Sequence, residues 1–115
     1  MTLKECYVAL EGDYNDVMSR LMTEKLVSKF VLKFLNDGSY NNLVQSLKDG
    51  NIEVAFRAAH TLKGVCQNLS FTKLYQSSND MTEALRSNDT SKADELMVKV
   101  EADYLQTVSA IQNLE

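Results

Sequence analysis

The chain holds a single histidine, in the stretch AAHTLKGVCQNL spanning residues 58 to 69. His60 is followed by Lys63 three residues on and by Gly64 four residues on. In a helix these positions share one face, about one turn from the imidazole. An imidazole is partly unprotonated at neutral pH, so a ring nitrogen can offer its lone pair to an electrophile. An ammonium one turn away balances the charge of an incoming anion. Glycine inside a helix costs about 1 kcal/mol relative to alanine, a cost that makes sense where a bulky group must approach the ring. Nucleophile, cation and clearance together suggest a phosphoryl group carried covalently on histidine. Phe56 and Gln67 fall on the same face, Gln67 as a polar contact and Phe56 as an anchor for a partner, with Arg57, Lys63 and Gln67 as its polar rim.

Each of these residues has a plainer reading when taken alone. A histidine at the edge of an apolar stripe is commonly satisfied by backbone or water. A glycine there can serve close helix packing, and a lysine is usually a solvated surface charge. Cys66 falls on the apolar stripe and reads as a small buried hydrophobe. With Cys6 far away and one histidine, a zinc site is not expected.

Composition narrows the classes further. The 115 residues carry a net charge of −4, which argues against nucleic acid as a partner because phosphate binding needs a basic patch. The longest apolar run, in FVLKFL, is too short to span a bilayer, so no membrane role is expected. MTLKECYVALEGD mixes acids and bases early and lacks a signal pattern, so the expected location is the cytoplasm. No glycine-rich phosphate loop or kinase signature is present, so no ATP site, and hence no autokinase activity, is expected.

The elements that must position His60 read as helices throughout. Leu3, Tyr7 and Leu10 form a short first stripe ending at Gly12. Asp13 can cap a second short helix, and Thr23 a third in which Leu26, Val27, Phe30, Val31, Phe34 and Leu35 recur as a core stripe. NDGS kinks or ends that helix before Tyr40, Leu43, Val44 and Leu47 resume the pattern. Asn51 can cap the next helix, whose stripe of Ile52, Ala55, Ala59, Leu62, Cys66 and Leu69 is spaced 3-4-3-4-3. Ser70 can cap a helix bearing Phe71, Leu74, Ser78, Met81 and Leu85. Ser91 with Asp94 resembles a capping box for the last helix. The expected fold is all-α: an antiparallel four-helix bundle with short additional N-terminal helices. It forms one domain over residues 1–115, with a helical cap over 1–23 and the bundle over 24–114.

AHTLKG resembles the signature of the histidine-containing phosphotransfer (HPt) domains of two-component phosphorelays, and the resemblance runs over roughly residues 24 to 114. It implies a four-helix bundle that accepts a phosphoryl group from a receiver-domain aspartyl phosphate and passes it to another receiver. Carried over by residue, His60 matches the phosphoacceptor, Lys63 the charge-balancing lysine, Gly64 the glycine that gives clearance, and Leu62 the core-facing position between them. The partners implied are a response-regulator receiver domain or a hybrid sensor histidine kinase, with one copy of the chain sufficient. The divalent metal of the transfer belongs to the receiver, so no cofactor is expected here. Two positions depart from the family pattern. Ser70 stands where glycine is frequent, and Thr82 is the nearest equivalent of a glutamine or glutamate that many members place beside the imidazole. The alternative function is a helical interaction module that docks a signalling partner without carrying phosphate.

Overall fold

The computed structural model describes all 115 residues, and they form seven α-helices and one 3-10 turn, with no strand. Helix α1 spans Leu3–Leu10, α2 Tyr14–Leu21, α3 Glu24–Lys33, α4 Ser39–Lys48, α5 Ile52–Leu69, α6 Thr72–Arg86 and α7 Thr90–Gln112; the 3-10 turn is Phe34–Asn36. Helices α4 to α7 make the bundle. They are joined by short turns that lay each helix antiparallel to the one before it. Tyr40 of α4 stacks flat on Tyr104 of α7, with centroids 3.8 Å apart, and so joins the first and last helices of the bundle. Phe34, Phe71 and Tyr7 extend this aromatic contact into one core of 25 buried residues.

Local chemistry explains most of the boundaries. The Asp13, Thr23 and Asn51 side chains each accept a backbone N–H of the following first turn, as the sequence leads one to expect. At NDGS the chain leaves helical geometry at Asp37, so α3 and α4 are separate helices rather than one continuous rod. Two capping expectations are corrected. The cap of α7 is Asp89, whose carboxylate accepts from Lys92 N–H, and Ser91 already lies inside the helix, so no Ser91–Asp94 box forms. Ser70 does not cap α6. It closes α5 in the left-handed conformation at φ 57°, ψ 39°, and Phe71 precedes α6 without a side-chain cap. Left-handed backbone is where glycine is least strained. A glycine at this position would be free of that strain.

The serine is held there by the N-terminal helices. Its hydroxyl donates to Asp16 Oδ2 at 2.6 Å and accepts from Arg20 Nη1 at 3.1 Å. Arg20 also donates to the Asn68 carbonyl at 2.7 Å. Tyr7 Oη donates to the Leu69 carbonyl at 2.6 Å, and Asp13 N–H to the Ser70 carbonyl at 2.8 Å. On the other side, Lys73 Nζ donates to Glu11 Oε2 at 2.8 Å, near the buried Asp103 carboxylate that Lys99 pairs at 3.0 Å. The first two helices are therefore a brace for the elbow that follows α5.

Gly12 is the point of closest approach in that brace. A Cβ there would lie 2.7 Å from the Ser70 carbonyl oxygen, 2.7 Å from Leu10 Cδ1 and 2.8 Å from Tyr7 Cδ2. A backbone oxygen cannot swing away as a side-chain tip can. Gly12→Ala is expected to lower unfolding free energy by about 2 kcal/mol, in the range of overpacking costs, as measured by urea denaturation. A variant as stable as the wild type would contradict this account of the elbow.

Candidate functional site

The orientation of α5 about its own axis places every residue of interest. Ala55, Ala58, Ala59, Leu62, Cys66 and Leu69 are buried against the rest of the bundle. His60 points away from them and is exposed, as are Arg57 and Gln67, whereas Phe56, Lys63 and Gly64 are half-buried beside it. The histidine thus stands further into solvent than the border position its spacing suggests. Leu62 faces the core, completely buried.

The space beside Gly64 is open. A Cβ built on Gly64 would meet no atom within 4 Å, so nothing in this chain explains the missing side chain by packing. The charges nearby are unequal in availability. Arg57 is 3.1 Å from Glu53, and Arg86 is 3.3 Å from Glu83, each an exposed pair on one helix. Lys63 has no carboxylate within ion-pair distance. An anion arriving at His60 would therefore find that ammonium unneutralised.

No hydrogen bond from the chain ties either imidazole nitrogen. The neighbour the ring does have is Phe56, with centroids 6.0 Å apart and planes tilted by 60°. Thr82 is fully buried, and its hydroxyl donates to the Ser78 carbonyl at 2.7 Å, so that hydroxyl is already engaged within α6. Cys66 is buried, and burial pushes its thiol well above the ordinary range, so it is held as an inert neutral group. No cluster of three or more His, Cys, Asp and Glu side chains is arranged to hold a metal ion.

Two features of this region escape the sequence reading. Three residues of the expected α3 core stripe, Leu26, Phe30 and Leu35, are each 37% exposed, and only Val27, Val31 and Phe34 are buried. Helix α3 lies at the edge of the assembly, covered on one side only, so half of its wide apolar stripe faces water. Its signal was there: six apolar residues in adjacent pairs are more than one buried face needs. Phe30 and Val65, the residue after Gly64, line one cleft of about 370 Å³ with Leu21, Phe34, Leu69 and Arg20. The second feature is Arg86 of α6, whose guanidinium lies 5.0 Å from the centroid of Phe56. Nothing in the spacing within α5 could reveal a contact that depends on how α6 lies against it.

Compared with known families, residues 37–114 match the family model described as the Hpt domain. No curated protein and no solved structure matches the chain. The matched stretch begins at Asp37 and includes all four bundle helices with the His60 face, while α1 to α3 precede it.

Because the space above Gly64 is empty, alanine there adds helix propensity without a clash. Gly64→Ala is expected to raise unfolding free energy by about 0.5–1 kcal/mol, read from urea denaturation at neutral pH. A loss of stability would mean that the glycine serves packing after all.

Proposed function

The chain belongs to the Hpt domain family, whose work is histidine phosphotransfer in two-component systems with the receiver domains of response regulators, and from that premise we propose that it is a phosphorelay carrier using His60. The observation that carries the reading is an exposed His60 one helical turn from Gly64, where the position of a side chain is empty. In the step proposed, the lone pair of an unprotonated ring nitrogen forms the N–P bond. The P–O bond of the partner's aspartyl phosphate breaks, and the aspartate carboxylate leaves with that electron pair. The proton on the other ring nitrogen stays in place. Reversal onto a second receiver regenerates the imidazole.

Such a transfer needs alignment and charge balance more than acid–base chemistry. Lys63, lacking a carboxylate partner, is the group proposed to balance the phosphoryl charge, and Gly64 the group that admits it. Gln67 offers its amide on the same exposed face. The divalent metal is assigned to the receiver, and the carrier is proposed to lack autokinase activity and to work as a monomer. The surface offered to the partner runs from Arg57 past His60 and Gln67 to the apolar cleft of Phe30 and Val65. Transient docking of this kind requires only a small interface. The whole chain is proposed to act as one such domain, with the helices of residues 1–23 bracing the bundle.

Incubation with a radiolabelled phospho-receiver tests the reading. An acid-labile, base-stable label is expected on the wild-type chain and none on His60→Gln. Equal labelling of the two would end the carrier reading, and absence of label on both would leave a docking module that carries no phosphate. Lys63→Ala is expected to slow transfer about tenfold with helicity intact, the loss of one charge-assisted contact of roughly 1.5 kcal/mol; an unchanged rate refutes its role. Gly64→Gln is expected to fold normally yet block labelling through crowding, and normal labelling would show the clearance to be unnecessary.

A further inference from the structure

We infer that Phe56, held by Arg86 of the neighbouring helix, is the residue that orients the His60 imidazole, a positioning role that rests on His60 being the phosphoacceptor. The side chains form a chain of contacts from α6 to α5. Glu83 Oε2 lies 3.3 Å from Arg86 Nε, the Arg86 guanidinium sits 5.0 Å from the centre of the Phe56 ring, and that ring lies 6.0 Å from the imidazole. The middle contact is a cation over an aromatic face, which is attractive and geometrically selective. Phe56 is one helical turn before His60 and half-buried, so its ring has a packed floor beneath it and the guanidinium beside it.

The ring has no competing restraint. Neither nitrogen of His60 is hydrogen-bonded within the chain, and Thr82, the polar residue nearest by family analogy, spends its hydroxyl on the Ser78 carbonyl. An aromatic wall also restrains an imidazole differently from a hydrogen bond. A hydrogen bond occupies one nitrogen and selects a tautomer, whereas a tilted ring limits rotation and leaves both nitrogens free. One can then meet the phosphorus while the other keeps its proton. In-line transfer depends steeply on such alignment, and small misplacements cost large factors in rate.

This role predicts kinetics opposite to those of a docking anchor. Single-turnover transfer from a phospho-receiver is measured over a range of receiver concentrations with wild type, Phe56→Leu, Phe56→Tyr, Arg86→Ala and Arg86→Lys. Phe56→Leu is expected to lower the maximal rate by about tenfold or more, with the half-saturating receiver concentration within about twofold of wild type. Phe56→Tyr restores the rate, Arg86→Ala gives an intermediate loss, and Arg86→Lys recovers most of it because the cation over the ring is kept. Proton NMR of the lone histidine supplies a reading independent of any phosphate. The carbon-bound imidazole protons are expected to carry a ring-current displacement that collapses in Phe56→Leu and is regained in Phe56→Tyr. Arg86→Ala removes no buried group, so it remains informative if Phe56→Leu folds poorly. Imidazole signals unmoved by the loss of Phe56 would overturn the inference, as would a raised half-saturating concentration at an unchanged maximal rate. A wild-type chain that takes no label would bring down the carrier reading instead, and the ring spectra would still decide whether Phe56 holds the imidazole.

Discussion

The rotational setting of α5 is the constraint on which the site depends. Six small or apolar side chains, from Ala55 to Leu69, are buried on one side of that helix, between the helices on either side of it. Alanines at 55, 58 and 59 allow close approach of neighbouring helices, and Leu62 and Cys66 fill the layer below. Turning the helix by one residue would swing the apolar stripe toward water and draw polar side chains inward. Burying a leucine side chain is worth about 1.5–3 kcal/mol, so several such losses would exceed the stability of a domain this size. The exposed position of His60 is thus a consequence of what lies on the opposite side of its helix.

The end of α5 is held as firmly as its face. Ser70 adopts a left-handed backbone that only glycine takes without strain. Its hydroxyl, flanked by Asp16 and Arg20, and its carbonyl, which accepts from Asp13, fix that conformation from outside the bundle. The first two helices are therefore tied to the helix that carries the histidine, although they precede the stretch matched by the family. Hydrogen bonding of the Asp16 carboxylate to Ser70, reinforced by Arg20, holds its carboxyl below the usual range. That link keeps its full strength near neutral pH and is lost as acid protonates the group.

Much of this was legible in the sequence, for reasons that differ by residue. The 3-4-3-4-3 stripe of α5 predicts both a helix and most of its buried face, because the spacing has one solution; only Ile52, at the first turn, is half-buried, while Ala58 beside the stripe is buried. The caps at Asp13, Thr23 and Asn51 were legible because a side-chain oxygen before an apolar run has a local job. Ser70 reads from sequence as a cap of α6, but the same residue type also serves as a helix terminus in left-handed geometry, and the partners that hold it there are about 50 residues away. The split of α3 into buried Val27 and Val31 against exposed Leu26 and Phe30 depends on where the bundle ends, which periodicity does not encode. The stack of Arg86 on Phe56 joins residues 30 positions apart and follows only from the packing of α6 on α5.

On the proposed reading, an exposed imidazole, an unpaired ammonium and the empty volume at Gly64 suffice to carry phosphate when the partner brings the activated phosphoryl group. The atom to which that group is bonded decides the matter most directly. Electron-transfer fragmentation mass spectrometry of the intact chain, after exchange with a phospho-receiver at mildly alkaline pH, locates it. One phosphoryl mass confined to fragments containing His60 is the result the account predicts. Phosphoryl on any other residue would contradict it, as would a chain that returns from the exchange unmodified.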